Sequence, residues 1–209
     1  DTIAPDSLWS YELGGKFRLA DGKLLVDIAA YLTDWSNIQI PFLTNAGLPA
    51  VVNGGDAQIK GIDLGITWIT PLAGLSLTGI ANINDAKFRN VNPALAAALP
   101  TAQNGSKLPN VPKGNFTLAA NYSGRLSDTV KLNLYAAYAY RDRQQDLASG
   151  LFSANIDMLT LRAGLEFDKL RIDAFAENLL NERGPALTTL TAVQPVYPRR
   201  IGVSASFKY

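Results

Sequence analysis

Hydrophobic and polar residues alternate along most of this 209-residue chain, and this alternation constrains the fold more than any other feature. In the final stretch, YPRRIGVSASFKY, every second residue from Ile201 onward is apolar or aromatic, and the residues between are charged, small or hydroxylated. Successive side chains of an extended strand point to opposite faces. A period of two therefore predicts a β-strand with one apolar face and one polar face.

The same pattern recurs upstream, and its apolar positions carry no charged residue. The nine segments are 9–19, 24–32, 62–68, 75–83, 116–122, 132–140, 159–167, 170–176 and 201–209. Two folds show such alternation. A soluble β-sandwich turns its apolar residues into a dry core, whereas an outer-membrane β-barrel turns them toward lipid and its polar residues toward the lumen.

Three further features favour the barrel. The connections alternate between short (20–23, 70–74, 124–128 and 168–169) and long (33–57, 85–112, 141–156 and 178–198), as periplasmic turns and extracellular loops do. Several segments reach the ~9–11 residues that a tilted transmembrane strand needs. Aromatic residues lie near segment ends, where they suit a membrane interface: Trp9, Trp35, Trp68, Tyr122, Tyr138, Tyr140 and Tyr209.

The composition excludes several classes of function. The net charge is +1 and no basic run occurs, which argues against nucleic-acid binding. The chain contains no cysteine and no histidine, so disulfides, Ser-His and Cys-His pairs and the commonest zinc ligand are all absent. We expect no catalytic site, no metal site and no cofactor, and an outer-membrane enzyme is disfavoured for the same reason.

The fold prediction is all-β: an antiparallel transmembrane β-barrel segment of about nine strands. Bacterial single-chain barrels have even strand counts and leave no open edge. We therefore expect residues 1–209 to be the C-terminal part of a larger barrel, with earlier strands preceding Asp1. If the short turns are periplasmic, the last strand ends in the periplasm.

Five stretches carry a family resemblance: LWSYELGGKFRLADGKLLVDIAAYLTDWSNIQI, NGGDAQIKGIDLGITW, LPNVPKGNFTLAANY, AFAENLLNERG and YPRRIGVSASFKY. In this order they resemble the C-terminal β-barrel portion of TonB-dependent outer-membrane receptors. The resemblance implies a 22-stranded barrel whose N-terminal plug domain and TonB box lie outside this chain. It also implies the TonB complex, the barrel assembly machinery, outer-membrane lipid and lipopolysaccharide as partners.

Two groups of side chains are candidate sites. In the long loops, Arg141, Asp142, Arg143, Gln144, Phe42 and Leu95 could contact a small-molecule substrate, or they could form a solvated loop and loop-to-loop packing. Residues 93–99 carry a short helix signal, with Asn92 as cap and Pro93 in the first turn. On the predicted lumen face, Arg162, Glu166, Arg171, Asp173 and Glu177 could face a plug and a passing substrate, or form a structural wall network.

The C-terminus supplies a third group. The resemblance implies that Phe207 and Tyr209 form the aromatic signal that barrel assembly machinery reads. The sequence thus predicts outer-membrane active transport of a scarce or bulky nutrient, such as a ferric siderophore, haem, cobalamin or a glycan. The alternative is a passive porin or a small self-contained outer-membrane barrel.

Overall fold

The computed structural model describes residues 3–44, 46–189 and 192–208. Thirteen strands and one helix follow one another in these three ranges. They are β1 (Ser7–Leu19), β2 (Leu24–Ser36), β3 (Gln39–Leu43), β4 (Pro49–Asn53), β5 (Gly55–Ile69), β6 (Leu75–Val91), α1 (Pro93–Ala98), β7 (Gly114–Arg125), β8 (Lys131–Arg141), β9 (Ile156–Glu166), β10 (Leu170–Glu177), β11 (Pro185–Thr188), β12 (Val193–Pro195) and β13 (Arg200–Phe207).

Nine of these strands form one antiparallel sheet in the order β1-β2-β5-β6-β7-β8-β9-β10-β13. Each pairs with the next long strand along the chain, so the sheet is an up-and-down meander. The predicted nine-stranded antiparallel arrangement is confirmed. Within the described residues β1 and β13 are the two edges of the sheet, and they do not pair with each other.

The apolar stripes of the nine strands are open rather than packed. Leu13, Ile83 and Val203, from three different strands, are 82%, 62% and 72% exposed. The two other sheets among the described residues are the hairpins β3-β4 and β11-β12, and neither is large enough to cover this surface. A β-sandwich would bury these residues, so the sandwich alternative is wrong. We call this surface the apolar face and the opposite surface the polar face.

The hydrophobic core of the chain lies at the long-loop end of the sheet. Its centre is Phe88 and Leu95, both fully buried. Around them pack Ile38, Ile40, Ala57, Ala86, Leu99, Ala102, Leu108 and Leu147. Strands, helix α1 and two long loops all contribute, and we call this cluster the loop core.

The long strands change the sense of their alternation where they reach the loop core. In β6 the apolar phase runs through Leu77 and Ile83 on the apolar face, and beyond that point the apolar residues Ala86 and Phe88 occupy the opposite phase. In β5 the apolar phase likewise shifts from Ile62 to Ile59. On the short-turn side of this boundary the apolar side chains lie on the exposed apolar face. On the long-loop side they lie on the opposite face and pack into the loop core, as in a water-soluble protein.

The long connections contain more structure than the sequence predicts. Region 33–57 holds the end of β2, the β3-β4 hairpin and the start of β5, and region 178–198 holds the β11-β12 hairpin. β6 continues to Val91, although its predicted end was near residue 84. The period-two pattern is hard to follow here because its phase inverts at the loop core.

Helix α1 is confirmed as predicted. Asn92 caps it by accepting a hydrogen bond from the Ala94 N–H at 2.9 Å, and proline occupies its first position. Trp35, expected in an interfacial belt, instead lies on the polar-face phase and packs against the loop core, while its indole N–H donates to Asp6 at 2.8 Å. No helix in the described part of the chain has the length and hydrophobicity needed to cross a membrane.

Candidate functional site

The five candidate lumen residues lie on the polar face of β9 and β10. Arg171 stands directly opposite Glu166, Asp173 opposite Gly164, and Phe175 opposite Arg162. Alternation along the two strands therefore brings all five charged side chains to one surface, near the edge strand β13. The sequence predicts this common face, because the alternation of side chains depends only on residue spacing within each strand.

These charged side chains form ion pairs that differ in how far they are buried. The Arg171 guanidinium donates two hydrogen bonds to Asp173, at 2.7 and 2.9 Å, although both residues belong to the same strand. Asp173 is 8% exposed, so this fork satisfies a carboxylate that is almost out of solvent. Glu166, which faces Arg171, lies 3.6 Å from Lys208.

Glu177 forms a cross-strand pair with Arg200 of β13. The two residues are direct neighbours in the register, and Arg200 Nε donates to Glu177 Oε2 at 3.0 Å. Arg200 is largely exposed. Beside this pair, the Phe175 ring lies across Gly202, where a side chain would collide with it. These contacts tie β13 to β10 on the polar face.

Arg162 differs from the other polar-face charges. It is exposed, and within the described residues it has no ion-pair partner within 4.0 Å. With Arg171 it lines a polar depression of about 280 Å³. The other polar or hydroxyl-bearing residues of the lining are Ser76, Asn121, Tyr122, Ser123, Asn133 and Tyr135. Asn133 accepts from Ser123 at 2.9 Å, but its buried amide nitrogen has no partner in the described structure. The exposed Arg162 guanidinium makes this depression suited to an anionic or oxygen-rich group.

A second polar network lies on β2, β5 and β6. Asn82 donates to Asp63 at 2.5 Å and to the Tyr31 hydroxyl at 3.1 Å. Asn84 donates to Asn82 at 2.9 Å and to the Pro112 carbonyl at 3.1 Å, which links the wall to the loop that follows α1. These groups satisfy one another, so the network holds strands and loop in register.

The structure separates the candidate loop residues around Arg141. The Arg141 side chain is half-buried and donates to the Ala186 carbonyl of β11. Asp142 accepts from the Tyr140 hydroxyl at 2.7 Å, and Gln144 is buried against Ser153. Arg143 is exposed, with its guanidinium 4.7 Å from the centre of the Phe152 ring. Of these four side chains, that of Arg143 is the most exposed in this conformation.

The two apolar candidates belong to the loop core. Leu95 is fully buried, and Phe42 is partly buried against the same cluster. Leu95 can therefore meet a ligand only if the core opens. The sequence left ligand contact and loop packing open for both residues, and packing is what the structure shows.

The sequence analysis missed a buried polar residue at the base of the last long connection. Asn178 is 1% exposed, donates to the Glu182 and Tyr197 carbonyls at 3.0 and 2.8 Å, and accepts from the Glu182 N–H at 2.8 Å. Its φ of 48° places it in the left-handed region that asparagine tolerates. The Asn-Leu motif after β10 was the available signal.

Phe207 is the last residue of β13, opposite Leu170, and is 66% exposed. Tyr209 lies outside the described residues. Among the residues that the structure describes, no group of three or more Asp or Glu side chains could hold a metal ion.

Comparisons with known proteins agree with this architecture. The family model described as "TonB dependent receptor-like, beta-barrel" matches residues 2–179. The ferric yersiniabactin uptake receptor FyuA from Yersinia pestis is similar over 98% of this chain, with a TM-score of 0.77 and 17% identity. BauA, the ferric preacinetobactin receptor from Acinetobacter baumannii, matches 96% of it (TM-score 0.73, 20% identity), and the copper transporter OprC matches 99% (TM-score 0.71, 14% identity). The chain spans 30%, 29% and 32% of these three proteins, respectively.

Proposed function

This chain belongs to the TonB-dependent receptor-like β-barrel family, and from that premise we propose that it forms wall strands and extracellular ligand loops of an outer-membrane active transporter. The observation that carries the proposal is the exposed, charge-free face of the nine-stranded sheet. A surface of this kind is stable where acyl chains solvate it. The polar face then lines a water-filled lumen.

Closure of the barrel requires partners for the outer edges of β1 and β13. An unpaired strand edge in hydrocarbon leaves backbone groups without hydrogen bonds, at a cost of several kcal/mol per group. We propose that further strands of the same protein pair with both edges. A plug within that barrel would face Arg162 and its polar depression, and through the plug the protein would engage the TonB complex.

The orientation follows from the connections. The turns at one end are short, whereas the connections at the other end contain two hairpins, helix α1 and the loop core. We assign the structured end to the cell exterior, where ligand capture takes place, and the short turns to the periplasm. Arg143, exposed above Phe152, then becomes the leading candidate for a ligand contact in this part of the protein.

The proposed substrate is a scarce or bulky nutrient, with a metal chelate first among the classes. Two of the similar structures are named as receptors for ferric preacinetobactin and ferric yersiniabactin, and one as a copper transporter. The exposed arginines Arg143 and Arg162 are consistent with the oxygen-rich, anionic surface that such chelates present.

The test is energy-dependent uptake. A strain that lacks the full-length gene is given a panel of labelled ferric chelates, haem, cobalamin and glycans, with the complemented strain as control. We expect one ligand to enter only the complemented strain, and an uncoupler of the proton-motive force to abolish that uptake. Uptake that persists with the uncoupler would instead show a passive porin, and absence of the protein from the outer membrane would refute the membrane assignment.

A further inference from the structure

Four basic side chains lie together where the apolar face ends toward the long loops. They are Lys60 of β5, Lys87 and Arg89 of β6, and Lys107 of the loop after α1, and we call them the basic shelf. Lys87 pairs with Gln58 on one side and with Lys107 on the other, so these three residues form a row across neighbouring segments. Side chains that stand opposite one another in a sheet point to the same face.

The basic shelf continues the apolar face directly. Lys60 pairs with Asp85, and two residues further along the same strands Ile62 pairs with Ile83. Ile62 and Ile83 are 52% and 62% exposed. At a rise of about 3.4 Å per residue, the first charged row stands about 7 Å beyond the last apolar row. Because transmembrane strands tilt by about 35–45°, this step is about 5 Å along the membrane normal, which lies within the headgroup region beside the hydrocarbon core.

The shelf carries more positive than negative charge. The polar side chains that line its depression, which has a volume of about 290 Å³, include a single carboxylate, that of Asp85. Lys87 approaches this carboxylate to 2.9 Å and Lys60 to 4.0 Å. Asp85 lies on the part of β6 beyond the apolar face, and the hydrogen bond from Lys87 lowers its pKa, so it stays ionised. Asp34 of β2 adds a second carboxylate at the end of the row, where it accepts a hydrogen bond from Gln58 at 2.8 Å. Four cations then stand with two anions.

We propose that the basic shelf binds the phosphate groups of a phosphorylated outer-leaflet lipid whose acyl chains lie along the apolar face. The inference rests on the proposed membrane location and orientation. A free phosphate would use the same cations, but the lipid has a second point of contact in Ile62 and Ile83, immediately below the shelf. Lysines near a membrane surface attract anionic headgroups individually, and their contributions add when they are clustered.

The test uses the full-length protein, purified in detergent, and native mass spectrometry with added diphosphoryl lipid A. We expect Lys60→Gln, Lys87→Gln and Lys107→Gln together to weaken lipid A binding about 100-fold, at about fivefold per lysine. The matched control replaces Lys23, Lys131 and Lys169, which lie at the short-turn end, and should bind as the unaltered protein does. Asp85→Asn should strengthen binding, because it removes the one anion of the depression.

Two further probes identify the ligand. Dephosphorylated lipid A should bind no better to the unaltered protein than to the triple variant, and excess inorganic phosphate should not displace the lipid. Equal lipid A affinity in the triple and control variants overturns the proposal, as does displacement by phosphate alone. Cell fractionation separates this failure from failure of the proposed function: the triple variant should still reach the outer membrane and take up ligand.

Discussion

Asp173 occupies the space that Gly164 leaves open on the neighbouring strand, and a methyl group on Gly164 would collide with the Asp173 carboxylate. The carboxylate is held there by the fork from Arg171. A residue without a side chain on β9 therefore makes room for the nearly buried carboxylate of an ion pair on β10. This arrangement links the packing of the polar face to its charge distribution.

Gly164→Ala should destabilise the barrel by about 1–3 kcal/mol, because the added methyl group displaces Asp173 from Arg171. Gly65→Ala is the matched control on the polar face of β5, since its added carbon would lie at an ordinary 3.6 Å from Asp27 Cβ. The measurement is urea unfolding of the full-length protein in detergent. Equal stability of the two variants would contradict the steric argument.

The two ion pairs that involve β10 should differ in their contribution to the free energy of unfolding. Arg171→Gln leaves the nearly buried Asp173 without its charged partner and should cost about 1–3 kcal/mol of unfolding free energy. Arg200→Gln leaves Glu177 in a more exposed position and should cost no more than about 1 kcal/mol. Double-mutant cycles for both pairs give the coupling energies, and a larger coupling for Glu177 with Arg200 would reverse the expected order.

Leu95→Ala should loosen the loop core at a cost of about 2–5 kcal/mol, because Leu95 is fully buried at its centre. Hydrogen exchange in the full-length protein should accelerate in residues 86–108 and in β3, and stay unchanged in β8 and β9. Leu72→Ala, at a 60% exposed position in a short turn, serves as the control and should leave exchange unaltered. Acceleration spread over the whole sheet would show that the loop core is not a separate unit.

Arg143→Ala should weaken ligand binding by about 10- to 100-fold while the loop stays folded, since the exposed guanidinium can make charge-assisted hydrogen bonds. Phe152→Leu keeps the charge and removes the ring beneath it, and should weaken binding less. Equilibrium binding of the transported ligand to whole cells measures both effects. Unchanged affinity in Arg143→Ala would remove this residue from the ligand site.

Arg141→Ala should act on structure first, because the Arg141 side chain bridges the end of β8 to the Ala186 carbonyl. We expect faster proteolysis of the 142–155 loop and of the β11-β12 hairpin. Arg143→Ala is the control in the same loop and should leave the cleavage pattern unchanged. Normal protease resistance of Arg141→Ala would show that the bridge does not hold the loop.

The sequence did not predict that β6 extends beyond Ile83 toward the long loops. Ala86 and Phe88 continue the period of two in β6, but on the opposite phase from Ile83, so the apolar stripe appeared to end there. The inversion has a physical cause. Toward the short turns the apolar side chains lie on the exposed face that we propose to be solvated by acyl chains, and toward the long loops they turn into the loop core. The position of the phase inversion could have been found in the sequence. Which residues pack together in the loop core could not have been.

The candidate sites divide in the same way. The shared polar face of Arg162, Glu166 and Asp173 could be predicted because it depends only on alternation within a strand. The partners of these charges could not. Asp173 pairs with Arg171 of its own strand, and Glu166 pairs with Lys208, which follows the last strand. Which pairs form depends on distances and burial that the whole sheet sets.

The sequence by itself determined the number of long strands, the charge-free face, the short turns and the capped helix α1, because each of these follows from residues close together in the chain. The tertiary structure alone decided that Leu95 is buried beside Phe88, that Arg141 reaches Ala186, and that Lys60, Lys87 and Lys107 meet above the apolar face. These contacts join segments distant in sequence. Their free energy comes from burial and pairing that exist only after the strands have aligned.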